Sequence, residues 1–397
     1  MKDNTKNKGI LFIILYLSAL SSTLSQMKIV TLMGDLASQM NLSMTQASWL
    51  MSVFTLAGIV LALPGASVLE KLGPKNLLLI LIACVIAGNI IGALAGSSYP
   101  VLLLSRVIEG ISFAMIIMVG LVFINAWFQN GGAGIATGVF TTFPALASFI
   151  CMNVSVPVTR MLGERSMWWI VAGFSAVVFV LCLLFIHNPA ADNQEAFVPQ
   201  EKPRLSEVIT DGKMWFLAVC QACVAFILFT FITIYPQIFG GFYGLEPSTA
   251  NFYASLNGLF SIAFCILSGI IIERFRNASM VVLISFMMLA IACYIMTKLS
   301  PTTYILHTFV TALGTSLVIP AVLYITPRNA KRPSLIGYSI AFVNMLYFAG
   351  NFIGTPIVTG AVEKSGSWQT GADILAGVSI LGAVLIIIFM TVTRKRN

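Results

Sequence analysis

Charge is what this chain has least of. Only 9% of its 397 residues are Asp, Glu, Lys or Arg, and two are His, against roughly 25% charged in ordinary soluble domains. So little polar surface cannot cover a water-soluble core of this length, and a disordered chain, which needs low hydrophobicity and high charge, is excluded too. Cysteine is also sparse: Cys84, Cys151, Cys182, Cys220, Cys223, Cys265 and Cys293 all fall inside apolar runs. They read as small packing residues rather than a disulfide framework. Cys220 and Cys223 have CxxC spacing, but no second pair or histidine lies nearby, so no metal site is expected. The chain also lacks HExxH, GxSxG and a Walker loop. The run Gly132-x-Gly134-x-x-x-Gly138 follows an apolar helix instead of a strand, with the wrong spacing for a phosphate loop. Neither an enzyme nor a cofactor is expected.

What is abundant is apolar sequence. Hydrophobic residues make up 58% of the chain, and its mean hydropathy is +0.95. A helix needs about 20 apolar residues to cross a bilayer. Runs of that size fall at about 9–34, 46–69, 77–97, 100–126, 133–156, 166–187, 214–239, 249–272, 279–298, 302–325, 334–358 and 371–393. The break between the fourth and fifth is the turn-forming run Gln129-Asn-Gly-Gly-Ala-Gly134. The first run is too long for a cleavable signal peptide, and more spans follow it. The expectation is an all-α membrane protein with twelve transmembrane helices and both termini on one side.

The net charge of +8 forms no basic patch interleaved with aromatics, which argues against a nucleic-acid partner. With the N-terminus inside, sixteen of the 22 Lys and Arg residues fall in cytoplasmic segments, four in outer loops and two within spans. Both termini are therefore expected in the cytoplasm. One polar stretch, Asn188 to Lys213, carries Pro189, Pro199 and Pro203 with mixed charges. It reads as a cytoplasmic tether (188–213) between six-helix bundles at 1–187 and 214–397.

The halves echo each other. Ser52, Glu70 and Lys71 match Ser255, Glu273 and Arg274 at an offset of 203, and Asn130, Gly138, Pro157, Glu164 and Trp169 match Asn329, Gly337, Pro356, Glu363 and Trp368 at 199. Rare Pro, Trp and Glu in one register argue for duplication, as in many carriers.

Three motifs then give a family likeness. After the second span, Gly65-Ala-Ser-Val-Leu-Glu70-Lys71-Leu-Gly73-Pro-Lys75 is similar to a G-x-L-x-D-R-x-G-R-K loop, with Glu for Asp and Lys for Arg. Gly269-Ile-Ile-Ile-Glu273-Arg274-Phe-Arg276 repeats it after the eighth span, and Arg106-x-x-x-Gly110-x-Ser112-x-Ala114 is close to R-x-x-x-G-x-G-x-A. With twelve spans and a central linker, the chain resembles the major facilitator superfamily. The resemblance implies two pseudo-symmetric bundles around a polar crevice, alternating access, and loop contacts that latch a cytoplasmic gate. Glu70 and Glu273 would gain from helix N-termini there, or the loops would serve only as topology charges.

Ionisable residues inside spans are expensive and read as functional by default. Lys28, Arg106, Glu109 and His307 qualify. Arg106 and Glu109, three apart, either pair with each other or form a gate or proton site. Lys28 either snorkels to the outer interface or meets solute. His307 is either an interfacial histidine or a proton site. Gln26, Gln221, Asn257 and Asn344 sit near mid-span on helices that line the cavity in the family resembled; they bind solute or join helices. Tyr347, with Tyr235 and Tyr253, either serves the cavity or anchors at an interface.

Lys28, Arg106 and His307 outnumber the one carboxylate, Glu109, so an organic anion is the favoured solute. Proton-coupled efflux of hydrophobic drugs is the alternative. The first span holds Gln26 and Lys28 where drug antiporters of the family resembled carry Asp. The fifth keeps Pro144 but loses the glycines of their G-P-x-x-G-G motif. Glu109 or His307 would relay the proton, in a monomer in the cell membrane. A reading from another class is a non-transporting membrane sensor or scaffold.

Overall fold

The computed structural model describes residues 4–128, 133–188, 205–275, 277–300, 302–332 and 335–394. Most of the 188–213 tether, residues 129–132 of the fourth-to-fifth break, and Arg276 lie outside them. Among the described residues all regular structure is helical: α1 (Asn4–Gln39), α2 (Met44–Ser52), α3 (Leu56–Leu61), α4 (Gly65–Leu72), α5 (Pro74–Leu94), α6 (Tyr99–Trp127), α7 (Ala133–Phe140), α8 (Phe143–Leu162), α9 (Ser166–Phe185), α10 (Leu205–Ile209), α11 (Gly212–Gln237), α12 (Pro247–Phe275), α13 (Ala278–Ile295), α14 (Tyr304–Arg328), α15 (Ile336–Ser365) and α16 (Trp368–Arg394).

Eleven segments are long and apolar enough to cross a membrane. The 29-residue α12 is the twelfth, in line with the expected number. Two spans are not single rods. The second is assembled from α2, a 3-10 turn at Val53–Thr55, α3 and α4. Its second break falls just before Gly65, where Pro64 occupies the N-cap of α4. The fifth breaks between α7 and α8, with Pro144 in the first turn of α8. Proline lacks the N–H that would continue the helix behind it, so the break before Gly65 and the break before α8 each fall beside a proline, whereas the turn at Val53–Thr55 has none. Pro236 near the end of α11 is followed by a π turn at Ile238–Phe242 for the same reason.

The chain forms two compact units: residues 1–32 with 53–198, and residues 33–52 with 199–397. The segment 33–52, read from sequence as part of the first bundle, thus belongs to the second unit, where α2 packs on α15.

In the first unit α5 packs on α6 and α9, around a core of Leu15, Leu78, Leu81, Ile116, Val119, Phe123, Phe140, Phe143 and Cys182. Helix α9 shows why an all-apolar helix suits a bilayer: Val171, Val178 and Cys182 face inward, while Val177, Val180 and Leu184 are exposed one turn apart.

Close helix approach in both units runs through glycine pairs four residues apart. A Cβ on Gly88 would lie 2.4 Å from Glu109 Cγ, and one on Gly92 would lie 2.4 Å from Trp168 Nε1. In the second unit a Cβ on Gly350 would fall 2.1 Å from the Ala222 carbonyl, and one on Gly354 would fall 2.9 Å from that of Phe226. Small residues at such seams let helix backbones approach where lipid gives no hydrophobic drive. The cysteines are free thiols, and Cys220 Sγ donates to the Gly382 carbonyl at 3.6 Å.

Candidate functional site

Helices α1, α5 and α6 bring a buried ionic cluster together in the first unit. Glu109 Oε2 accepts from Lys28 Nζ at 2.9 Å, from Ser25 Oγ at 2.7 Å, and from Arg106 Nη1. Lys28 Nζ also donates to Asn89 Oδ1 at 2.6 Å and to Ser25 Oγ at 3.2 Å. Asn89 Nδ2 donates to Ser25 Oγ at 2.9 Å and to the Val85 carbonyl at 2.7 Å, which fixes the amide's direction. The Arg106 guanidinium further donates to the Ser25 carbonyl at 2.7 Å and lies 4.6 Å over the Phe54 ring. Lys28 Nζ lies 5.3 Å from the Trp168 ring. Lys28, Asn89, Arg106 and Glu109 are each 0% exposed.

Two of the expectations for this cluster are resolved by that geometry. Arg106 and Glu109 do pair. Lys28 does not snorkel: its carboxylate partner is on another helix, 81 residues away, where a search along its own helix could not find it. The cluster is unbalanced, with two cations on one oxygen of one carboxylate, while Glu109 Oε1 has no hydrogen-bond partner. Asn89, Ser25 and Trp168 were not singled out from sequence. Asn89 left a signal, since it is the one side-chain amide within the apolar run of α5 after its first turn.

In the second unit His307 is buried in an aromatic nest formed by Phe231, Tyr235 and Tyr304. Its Nε2 lies 3.0 Å from the Ala292 carbonyl, which only an N–H can satisfy, so Nδ1 is left to accept from the Tyr235 hydroxyl at 3.4 Å. Tyr235 in turn bonds Thr311 at 2.7 Å. Both ring nitrogens are thus engaged as in a neutral imidazole, and α11 and α13 cover the ring near the start of α14.

The amides diverge. Gln26 is buried with both side-chain atoms unpartnered, and Gln221 Oε1 is likewise unmet. Asn257 Nδ2 reaches Thr311 Oγ1 and the Thr308 carbonyl, each at 3.4 Å. Asn344 is half-buried on α15, as is Tyr347, whose ring meets Phe229 edge-on at 5.9 Å. Unmet polar atoms also occur at Thr230, Asn351 and Thr355, which with Gln221 lie on the mutually packed α11 and α15. Such groups are rare in a finished core and mark a place with hydrogen bonds to give.

The loop after the second span is built as a tight junction. Glu70 is exposed near the end of α4, and Lys71 sits in its last turn. Gly73, at φ +73°, reverses the chain into α5. There the Lys75 backbone N–H donates to Asn188 Oδ1 at 2.9 Å, and Lys75 Nζ donates to the Leu183 carbonyl at 3.1 Å. In the matching segment of α12, the surroundings of Gly269 and the side chains of Glu273 and Arg274 lie outside the described residues.

Twelve apolar spans with charges buried among them define a multi-pass membrane protein with a carrier's fold. The Major Facilitator Superfamily model matches residues 15–354 and 217–397, and the chain belongs to that family. Among its relatives, the quinolone resistance protein NorA of Staphylococcus aureus (strain COL) is 22% identical over 357 residues, covering 85% of this chain and 86% of NorA. The uncharacterized MFS-type transporter YcnB of Bacillus subtilis (strain 168) is 25% identical over 183 residues, 46% of this chain and 38% of its own length. In three dimensions the chain is similar to a bacterial homologue of the human lysosomal transporter Spinster, with a TM-score of 0.74, 15% identity and 97% of each chain covered.

Proposed function

We propose that this chain is a secondary active transporter in the cell membrane, with cytoplasmic termini, that moves a small organic anion by alternating access, coupled to protons. Residues 1–187 and 214–397 are the moving halves, apart from the segment 33–52, which groups with the second unit, and the Glu70–Lys75 loop with its Glu273–Arg274 counterpart latches the cytoplasmic gate. The observation that carries the choice of cargo is the excess cation of the first unit: Lys28 and Arg106 share the single carboxylate of Glu109. Uncompensated positive charge in a low-dielectric site favours an anion and penalises a cation. Gln26 and Gln221, whose hydrogen-bonding groups are unmet, are the amides best suited to hold polar cargo, with Asn257, Asn344 and Tyr347 beside them in the assignment.

A ligand screen by thermal shift across organic anions, sugars and cationic drugs tests the cargo class, because a bound solute stabilises the folded state. Uptake of the hits into proteoliposomes under a pH gradient tests carriage. Stabilisation by anions, with uptake lost in Lys28→Ala, is the expected result. Undiminished anion uptake by that variant would remove Lys28 from solute handling.

The second reading, proton-coupled efflux of hydrophobic drugs, is favoured by the near full-length likeness to NorA. It predicts stabilisation by lipophilic cations or zwitterions instead. A sensor or scaffold would bind solute with no net flux.

A further inference from the structure

The carrier reading needs a group that gains and loses the coupling proton, and the sequence nominates Glu109 or His307. Neither geometry suits the task. Protonating Glu109 would strand two buried cations without a counter-charge, and breaking such a group is strongly unfavourable. His307 has one nitrogen committed to a carbonyl and the other facing a hydroxyl within aromatic rings.

We infer that Lys28 carries the coupling proton, with Ser25 as the hydroxyl that lets the buried cluster accept either protonation state. As an ammonium, Lys28 has three donors and meets three acceptors: Asn89 Oδ1, Glu109 Oε2 and Ser25 Oγ. The Ser25 proton is then spent on Glu109. When the ammonium gives its proton to water, the amine keeps two N–H donors for Asn89 and Glu109 and presents a lone pair to Ser25. The Ser25 O–H turns from Glu109 to that lone pair, and no heavy atom has to move. Glu109 remains paired with Arg106, whose guanidinium stays charged under all working conditions. The loss of one proton thus takes the cluster from a net charge of +1 to neutral.

Space points the same way. All five members are fully buried, and the α5 backbone at Gly88 already lies against the Glu109 side chain. No solute fits within the cluster while it is packed this way, whereas the loss of one proton needs no added volume. The titratable groups that face Lys28 are Glu109 and Arg106 from α6 and the Cys151 thiol from α8; α5 contributes Asn89 and α9 contributes Trp168. Resting on the carrier reading, this assigns anion–proton symport: the net positive charge of the protonated cluster favours an anion in the transport path, and the neutral cluster lets it go.

Trp168 reports the step directly, since a charge appearing 5.3 Å from an indole alters its emission. In solute-free detergent-solubilised protein, the difference in emission between wild type and Trp168→Phe is expected to pass through a single one-proton transition as pH is raised. Lys28→Arg and Lys28→Gln are each expected to lose it, and Cys151→Ala to keep it. A flat wild-type difference, or a transition surviving both Lys28 variants, would overturn the proposal. Should those variants fold poorly, Asn89→Asp keeps the shape and adds a carboxylate beside the ammonium; it is expected to move the transition to alkaline pH by about one unit or more. An unmoved transition would sink the assignment. These readings need no cargo, so a failure to carry any anion would fall on the carrier reading alone. Where uptake is found, proton flux is expected to vanish in Lys28→Arg, and undiminished flux would count against Lys28.

Discussion

The two units bury their most polar side chains in opposite ways. The first gathers ions, with Lys28, Arg106 and Glu109 converging on one oxygen. The second gathers neutral groups, with His307, Tyr235 and Thr311 bonded in a chain and the unmet hydrogen-bonding groups of Gln221 and Asn351 on α11 and α15. Removing one member of an ionic cluster strands charge, whereas removing one member of a neutral chain strands only a dipole. The two centres should therefore fail very differently.

Glu109→Gln is expected to have the largest effect, about 3–5 kcal/mol of lost stability, because two buried cations lose their one anion. Thermal unfolding in detergent checks this, and Lys28→Met should cost clearly less, since Arg106 still balances Glu109. If the two variants lost equal stability, the picture of an unbalanced cluster would be broken. In the second unit, Gly350→Ala drives a methyl into the Ala222 carbonyl, and overpacking of this kind costs about 1–3 kcal/mol. The same assay reads it.

Smaller effects follow in the neutral chain. Tyr235→Phe deletes the hydroxyl that bonds Thr311 and is expected to cost about 1 kcal/mol. Gln221→Leu removes an amide whose oxygen has no partner, so stability should change by less than roughly 1 kcal/mol in either direction. Cargo affinity, measured by thermal shift against the solute found for wild type, should fall nonetheless. Unchanged affinity would class Gln221 as packing and leave any polar contact with cargo in the second unit to Asn257, Asn344 and Tyr347.

Much of this architecture was legible in the linear chain. Twelve apolar runs matched the spans to within a few residues at most ends, because length and hydropathy are local properties. The glycine seams of α5 and α15 were legible in principle as Gly88-x-x-x-Gly92 and Gly350-x-x-x-Gly354, but such pairs in apolar sequence gain meaning only once a neighbour is known. Lys28 was the hardest case. Along α1 it has no carboxylate within reach, so snorkelling and solute contact were both open; the answer depended on a residue 81 positions away. The partners of His307 were hidden for the same reason, because they come from α11 and α13.

The amino-acid sequence alone determined that this chain spans a membrane twelve times and that ionisable groups lie inside those spans. Apolar length is enough for the first conclusion, since a helix satisfies its own backbone in lipid. Which charges cancel, which amides stay unmet and which histidine nitrogen carries its proton were decided only in three dimensions. A hydrogen bond is settled within about 3 Å, and the helices that supply its two ends are set that close only by the packing of distant parts of the chain.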